Sequence, residues 1–353
     1  MLRAADPFDQ YGGNAALLTQ GVYASATGVT IVNTNPRTGT WHARISPNNG
    51  DRGLRRVYGA DLQEAGIKYA FSIPTLPTDS DTMILAAWAD NAYGVQATLV
   101  VSSTGQVILH RGKPEGIESG PVLATSAPVI VAGGYQHFEA VLFCDSAGGA
   151  CEVRIDGVTV LNVTGVNTQA QASTIVAQVK VGMLDNNWLD FPAYMDVDDY
   201  ALWDTTGYQN VDFIGDKKIY LLLPNADTAQ EDWTPSSGSD SYEMVNNVPP
   251  NDAQYIEATT PGNLSRFGLQ DLPAEVVSIA GLVVIARAVK TDAGNAKIQL
   301  GVSSGGDEAV GDELPLSMAP TYFQSIFELD PDTDAPWTVS GVNAMQLQIE
   351  RTE

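Results

Sequence analysis

Histidine and cysteine are scarce in this chain, three and two among 353 residues. A nucleophile that needs an imidazole base has only His42, His110 and His137 to draw on. Basic residues are short too: 18 Lys and Arg against 42 Asp and Glu give a formal net charge of −24. A surface this negative repels phosphate, which argues against sequence-independent nucleic-acid binding. The acids are dispersed and form no block, so the charge reads as solubility in a salty medium and not as a binding tail. No long stretch repeats apolar residues at helical spacing. No apolar run is long enough for a membrane helix; the longest, around Ser278 to Val289, predicts a buried strand. The opening Met1-Leu2-Arg3-Ala4-Ala5-Asp6-Pro7 holds no apolar core of the kind an export signal needs.

What is present points to strands. Hydrophobic residues make up 44% and charged residues 17%, a folding composition. The 33 glycines and 19 prolines are spread along the chain, as many short strands joined by tight turns require. The fold class expected is all-β, and the length suggests two domains.

Cys144 and Cys151 bracket a turn of small residues. Before it, Phe138, Ala140, Leu142 and Cys144 share one face by period two; after it, Cys151, Val153 and Ile155 share another. Both cysteines belong to the buried set, so a Cys144–Cys151 disulfide and two buried thiols are both open readings. Two thiols alone do not complete a metal site, and the hairpin has no histidine. The run Cys144-Asp145-Ser146-Ala147-Gly148-Gly149 is similar to the nucleophile loop of chymotrypsin-like proteases, but no histidine stands in the matching context. Farther on, Asp156-Gly157 between alternating runs predicts a two-residue primed turn.

The strand His137 to Phe143, then Val153-Arg154-Ile155-Asp156-Gly157-Val158, then Met195-Asp196-Val197-Asp198-Asp199-Tyr200, resembles the concanavalin-like, laminin-G-type jelly roll. Arg37-Thr38-Gly39-Thr40-Trp41 and strands at Ile67 to Ile73, Thr82 to Ala89, Val95 to Ser102 and Gln106 to His110 fit the same order. The resemblance covers 1–214 and implies a sandwich, a fold that hosts lectins, glycanases and inert modules alike. The Glu-x-Asp-x-x-Glu hexad of the concanavalin-like glucanases is missing; its nearest start, Glu328-Leu329-Asp330, has Thr333 in the last position. No catalytic residue and no cofactor is therefore expected. Asp196, Asp198 and Asp199 could ligate calcium, or hydrogen-bond neighbouring loops as such a pair does in this fold. Asp330-Pro331-Asp332-Thr333-Asp334 looks like an EF-hand opening, but Ala335 and Gly341 stand where the loop glycine and the bidentate glutamate belong, so it reads as a surface turn. Trp88 and Trp203 sit inside strand patterns, while Trp188, in a loop, is the candidate glycan contact.

Residues 215–353 predict a second, smaller β-sandwich. Its strands are expected at Lys217 to Leu223, Val276 to Val289, Ala296 to Val302, Thr321 to Leu329 and Ala344 to Ile349, with a turn from Gly301 to Gly311. The series Leu222-Leu223-Pro224-Asn225-Ala226-Asp227, Trp233-Thr234-Pro235 and Val248-Pro249-Pro250-Asn251-Asp252 resembles a recurring tailed-bacteriophage structural protein, as does the ending around Pro336-Trp337-Thr338. That resemblance implies a non-enzymatic virion component: a head decoration, head fibre, or minor tail or adhesin subunit. Its partners would be capsid or tail proteins, copies of itself and host surface polysaccharide. It would be assembled in the host cytoplasm and released by lysis. The alternatives are a stand-alone carbohydrate-binding module and a polysaccharide-degrading enzyme.

Overall fold

The computed structural model describes residues 1–46, 52–77, 83–113, 120–183, 194–207 and 209–353. Half of the chain is strand and 5% is helix, a nearly all-β structure. It comprises two compact units. The first contains Met1–Phe8, Gly13–Thr19 and Tyr23–Ile219; the second contains Asp9–Gly12, Gln20–Val22 and Tyr220–Glu353. The described helices include none long and apolar enough to cross a membrane.

The first unit is the concanavalin-like jelly-roll sandwich. Its strands begin with β1 (Leu2–Asp6), β2 (Ser25–Thr27), β3 (Val29–Val32), β4 (His42–Ile45) and β5 (Arg52–Leu62). Then come β6 (Glu64–Ser72), β7 (Met83–Ala89), β8 (Val95–Val101), β9 (Gln106–Arg111) and β10 (Val122–Pro128). Last are β11 (Tyr135–Phe143), β12 (Gly149–Ile155), β13 (Val158–Val166), β14 (Val176–Met183) and β15 (Met195–Asp204). One sheet runs β13-β12-β11-β6-β15-β4-β3, with β1 also on β15; the other runs β10-β9-β8-β7-β14-β5-β2. The strands described pair antiparallel, so one face of each can point inward and the other outward.

Period-two alternation builds the core. Tyr69, Phe71, Phe138, Val197 and Tyr200 from the eight-stranded sheet are buried, and Tyr69 bridges the sheets by donating its hydroxyl to the Leu85 carbonyl at 2.6 Å. Tyr69 lies 5.0 Å from the Phe138 ring and 6.2 Å from that of Tyr200, within the range in which aromatic pairs add to burial. The hairpin between β12 and β13 is the primed turn the sequence predicts, with φ of 51° at Asp156 and 77° at Gly157.

Cys144 and Cys151 are both free and buried, not bonded to each other. Cys151 is paired with Leu142 and Ala150 with Phe143, which offsets the two thiols along the hairpin. Burial pushes the Cys144 thiol up to about 12 and that of Cys151 well up, so both are inert core side chains.

The second unit, the smaller C-terminal β-sandwich, has a sheet ordered Pro224–Glu231, Leu264–Leu269, Gln346–Arg351, Lys297–Ser304, Asp307–Val310, with Leu314–Pro315 also on Lys297–Ser304. Leu282–Ala288 pairs with Thr321–Phe327 as a two-stranded sheet. Val284, Ile298, Leu300, Val302, Phe327, Trp337, Val342 and Met345 form the core. Several expected elements differ. Gly301 to Gly311 is not one turn: Gly305 and Gly306, at φ 59° and 104°, turn a hairpin whose second strand is Asp307–Val310. The apolar run near Val276 narrows to Leu282–Ala288, in which Val284 alone is buried, and this strand pairs with Thr321–Phe327 only. Ala344 ends a helix, Val339–Ala344, whose Thr338 hydroxyl accepts the Gly341 amide at 3.0 Å. Lys217 to Leu223 forms no strand. The Lys217 carbonyl and the Ile219 amide bond side chains of the first sheet, and the first unit runs past residue 214 to Ile219.

Candidate functional site

The outward face of the eight-stranded sheet carries a band of ionisable side chains. β6 contributes Lys68, Ala70 and Ser72, opposite Glu139, His137 and Tyr135 of β11. On its other side, Asp196 pairs with Ser72 and Asp198 with Ala70, while Asp196 also faces Arg44 of β4. Glu139 is paired with Arg154 of β12. Adjacent strands lie about 4.8 Å apart, so these groups form one continuous patch. A bulge between Asp198 and Ala201, with Asp199 at φ 53°, puts one extra residue into β15 at its centre.

Residues 209–219 cross this face as a strap. The Glu139 carboxylate accepts the Ile214 and Gly215 amides, Lys68 Nζ donates to the Lys217 carbonyl, and Asp199 Oδ1 accepts the Ile219 amide at 2.7 Å. Phe213 packs 6.2 Å from Trp203 and holds the Arg154 guanidinium 3.6 Å above its ring. Arg37 joins the strap to the sheet by pairing with Asp199 at 2.7 Å and with Asp216. Asp198 accepts the amides of Arg37, Thr38 and Asp199 at 2.9, 3.0 and 2.8 Å.

Of the two sequence readings of the aspartates, the structure has loop tethering. Asp198 and Asp199 are filled by backbone and Arg37 donors, and Asp196 accepts from Nε and Nη2 of Arg44 at 2.7 and 2.9 Å. Among the described residues, no three His, Cys, Asp or Glu side chains converge as metal ligands. The Asp330–Asp334 segment likewise turns on itself, its Asp330 carboxylate accepting the Asp332 amide at 3.1 Å. Trp88 and Trp203 are fully buried. Trp188 lies outside the described residues.

Electrostatics set this band apart. Burial lowers the Lys68 ammonium to about 8 against the pull of Asp199 and Glu139. Burial, then the Lys68 charge, lowers His137 to about 4. Burial and the Asp199 carboxylate raise Asp198 to about 8, opposed by its three amides. Burial also raises Glu139 and, strongly, Tyr135. Burial works against the Asp196 carboxylate, but His42 and Arg44 outweigh it and hold the group below its ordinary value. His42 Nε2 lies 3.2 Å from Asp196 Oδ1 without hydrogen-bond alignment, and neither ring nitrogen of His137 has a hydrogen-bond partner among the described residues. Perturbed groups gathered on one face are the physical mark of a functional site.

Beyond the strap, one end of the band is left open by the described residues. Arg44 is fixed by Asp196 and lies 3.6 Å over the Tyr194 ring; Tyr135, half-buried, stands edge-on to His42 at 6.4 Å. Thr30 and Ser72 border this end. The first unit has another concavity, a shallow cleft of about 300 Å³ lined by Val57, Gly59, Ala60, Asp61, Asn91, Ala177 and Gln178. Its acid, Asp61, accepts from Asn91 at 2.7 Å, and the cleft offers no comparable cluster.

No family model and no curated protein sequence matches the chain. Solved structures are similar to part of the chain. Alginate lyase vAL-1 from Chlorella virus is 12% identical with a TM-score of 0.37, over 57% of this chain and 99% of that one. The cellulose-induced protein Cip1 is 12% identical at 0.39, over 57% and 96%. The carbohydrate-binding module CBM66 from Bacillus subtilis is 12% identical at 0.25, over 50% and 92%. Likeness at this level describes architecture and not what this chain binds. It does correct one expectation, that the protein is not an enzyme: β-sandwich neighbours include alginate lyases. The missing Glu-x-Asp-x-x-Glu hexad bears on retaining hydrolysis alone, so it excludes one route of polysaccharide cleavage and not the class.

Proposed function

We propose that this chain is a surface-displayed subunit of a tailed-phage particle whose first sandwich contacts polysaccharide. The observation that carries the contact is the open end of the outward face, where Arg44 is locked between Asp196 and the Tyr194 ring beside Tyr135. Sugar recognition takes an apolar ring plane with a few rigid hydrogen-bonding groups at its rim, and this end supplies both. The particle setting is supported by the order of sequence motifs across both units. Repetition on a particle would multiply a weak contact into firm attachment.

Two measurements test the parts separately. Mass spectrometry of purified particles should find the protein at fixed stoichiometry; its absence from them would leave the second reading, a stand-alone carbohydrate-binding module. Glycan-array binding should fall at least about tenfold in Tyr194→Ala, the loss expected for one stacked ring and its held guanidinium. Silence of the wild-type protein across the array would end the polysaccharide reading.

A further inference from the structure

We infer that the polysaccharide accepted at this face is uncharged, an inference that rests on the glycan contact proposed above. A polyuronate or sulfated chain needs a cation with donors to spare, as a guanidinium fork or an ammonium supplies. Beside Lys217 and Lys218 of the strap, the face has Arg37, Arg44, Lys68 and Arg154, each with a partner, and of these Arg44 stands at the end that takes the glycan. Arg44 gives Nε and Nη2 to Asp196. Arg37 divides its fork between Asp199 and Asp216. Arg154 donates to Glu152 at 2.8 Å while stacked on Phe213. Lys68 is buried and donates to the strap carbonyl of Lys217.

An incoming carboxylate would have to displace a carboxylate that the fold holds in place, against the advantage of an intramolecular partner. It would also meet six acids on the same face: Glu139, Glu152, Asp196, Asp198, Asp199 and Asp216. At longer range the net charge of −24 repels any polyanion. What remains at the open end suits hydroxyl-rich, uncharged sugars. The Tyr135 and Tyr194 rings are there, with the Ser72 and Thr30 hydroxyls.

The full-length protein should be passed over immobilised neutral polymers (glucans, galactans, mannans) and acidic ones (polyuronates, sulfated and sialylated chains), each at low and high salt. The expected result is retention by a neutral polymer that changes less than about twofold with salt, because no ion pair is screened. Stronger retention by an acidic polymer, weakening as salt rises, would overturn the inference and leave the glycan contact standing. Retention by none would overturn both. Asp196→Asn gives the converse test, since it frees the Arg44 fork. The folded variant, checked by its thermal melt, should gain at least about tenfold in acidic-polymer retention that salt abolishes. A folded variant with no gain counts against the pairing of Arg44 as the selecting feature. If the variant does not fold, the wild-type salt series still decides.

Discussion

His137 is a base held neutral by its surroundings, with the sheet beneath it and Lys68 beside it. Its folded value of about 4 lies below the ordinary 6.5, so the unfolded chain takes up its proton first as pH falls. Stability from this group is complete above about 6.5 and lost as pH drops to about 4, a swing of up to about 3 kcal/mol. Urea unfolding of wild type and His137→Gln at about pH 7 and pH 4.5 should show the wild type losing more, by about 2 kcal/mol; equal losses would mean the imidazole is not buried neutral. Gly66 is fixed by different physics. A β-carbon there would stand 2.1 Å from the fully buried Trp203 ring, so Gly66→Ala should cost about 3 kcal/mol by the same measurement. Neither role is written locally. His137 and Glu139 are legible as the positions alternating with Phe138 and Ala140, the apolar face of their strand. Nothing within a few residues of Gly66 says that Trp203, on a strand far away in sequence, will cover it.

At the scale of elements, the strap has no strand or helix and is nonetheless tied down along its length. Asp199 anchors the Ile219 amide, the Thr38 hydroxyl and Arg37 at once. Removing it in Asp199→Ala strips the Ile219 amide and the Thr38 hydroxyl of this acceptor and leaves Arg37 with Asp216 alone. Strap opening should then rise by at least about tenfold, the factor that about 1.4 kcal/mol represents. Trypsin provides the readout, because Lys217 and Lys218 lie in the strap. Cleavage there should be slow in the wild type and at least about tenfold faster in the variant, followed by mass spectrometry; unchanged cleavage would show that the anchor does not hold the segment. Periodicity foretold the regular strands and the Asp156-Gly157 turn well, since both are local properties. It misread Lys217 to Leu223 as a strand, because alternation cannot show that a backbone will bond to side chains and not to another strand. The open end of the band was equally hidden. Arg44 and Tyr194 are 150 positions apart in sequence, and only β15 lying beside β4 brings them together.

For the whole molecule, charge is the property most plainly written in the sequence. Residues 220–353 carry 20 acids against five bases, a second unit under strong self-repulsion. Screening should stabilise it, so the melting temperature should rise by several degrees between about 10 mM and about 500 mM NaCl. A flat or falling curve would show that local pairs such as Arg287–Asp252 outweigh the net charge. Which strands neighbour which is another matter, since alternation gives faces and not partners. The clearest case is β15, which lies between β6 and β4 and also carries β1, residues 2–6 against 200–203. During synthesis β1, β4 and β6 leave the ribosome long before the strand that joins them exists. Their open edges must wait for about 120 residues after β6, and longer after β4 and β1, to be translated, an interval in which a chaperone or a neighbouring nascent chain can reach them first.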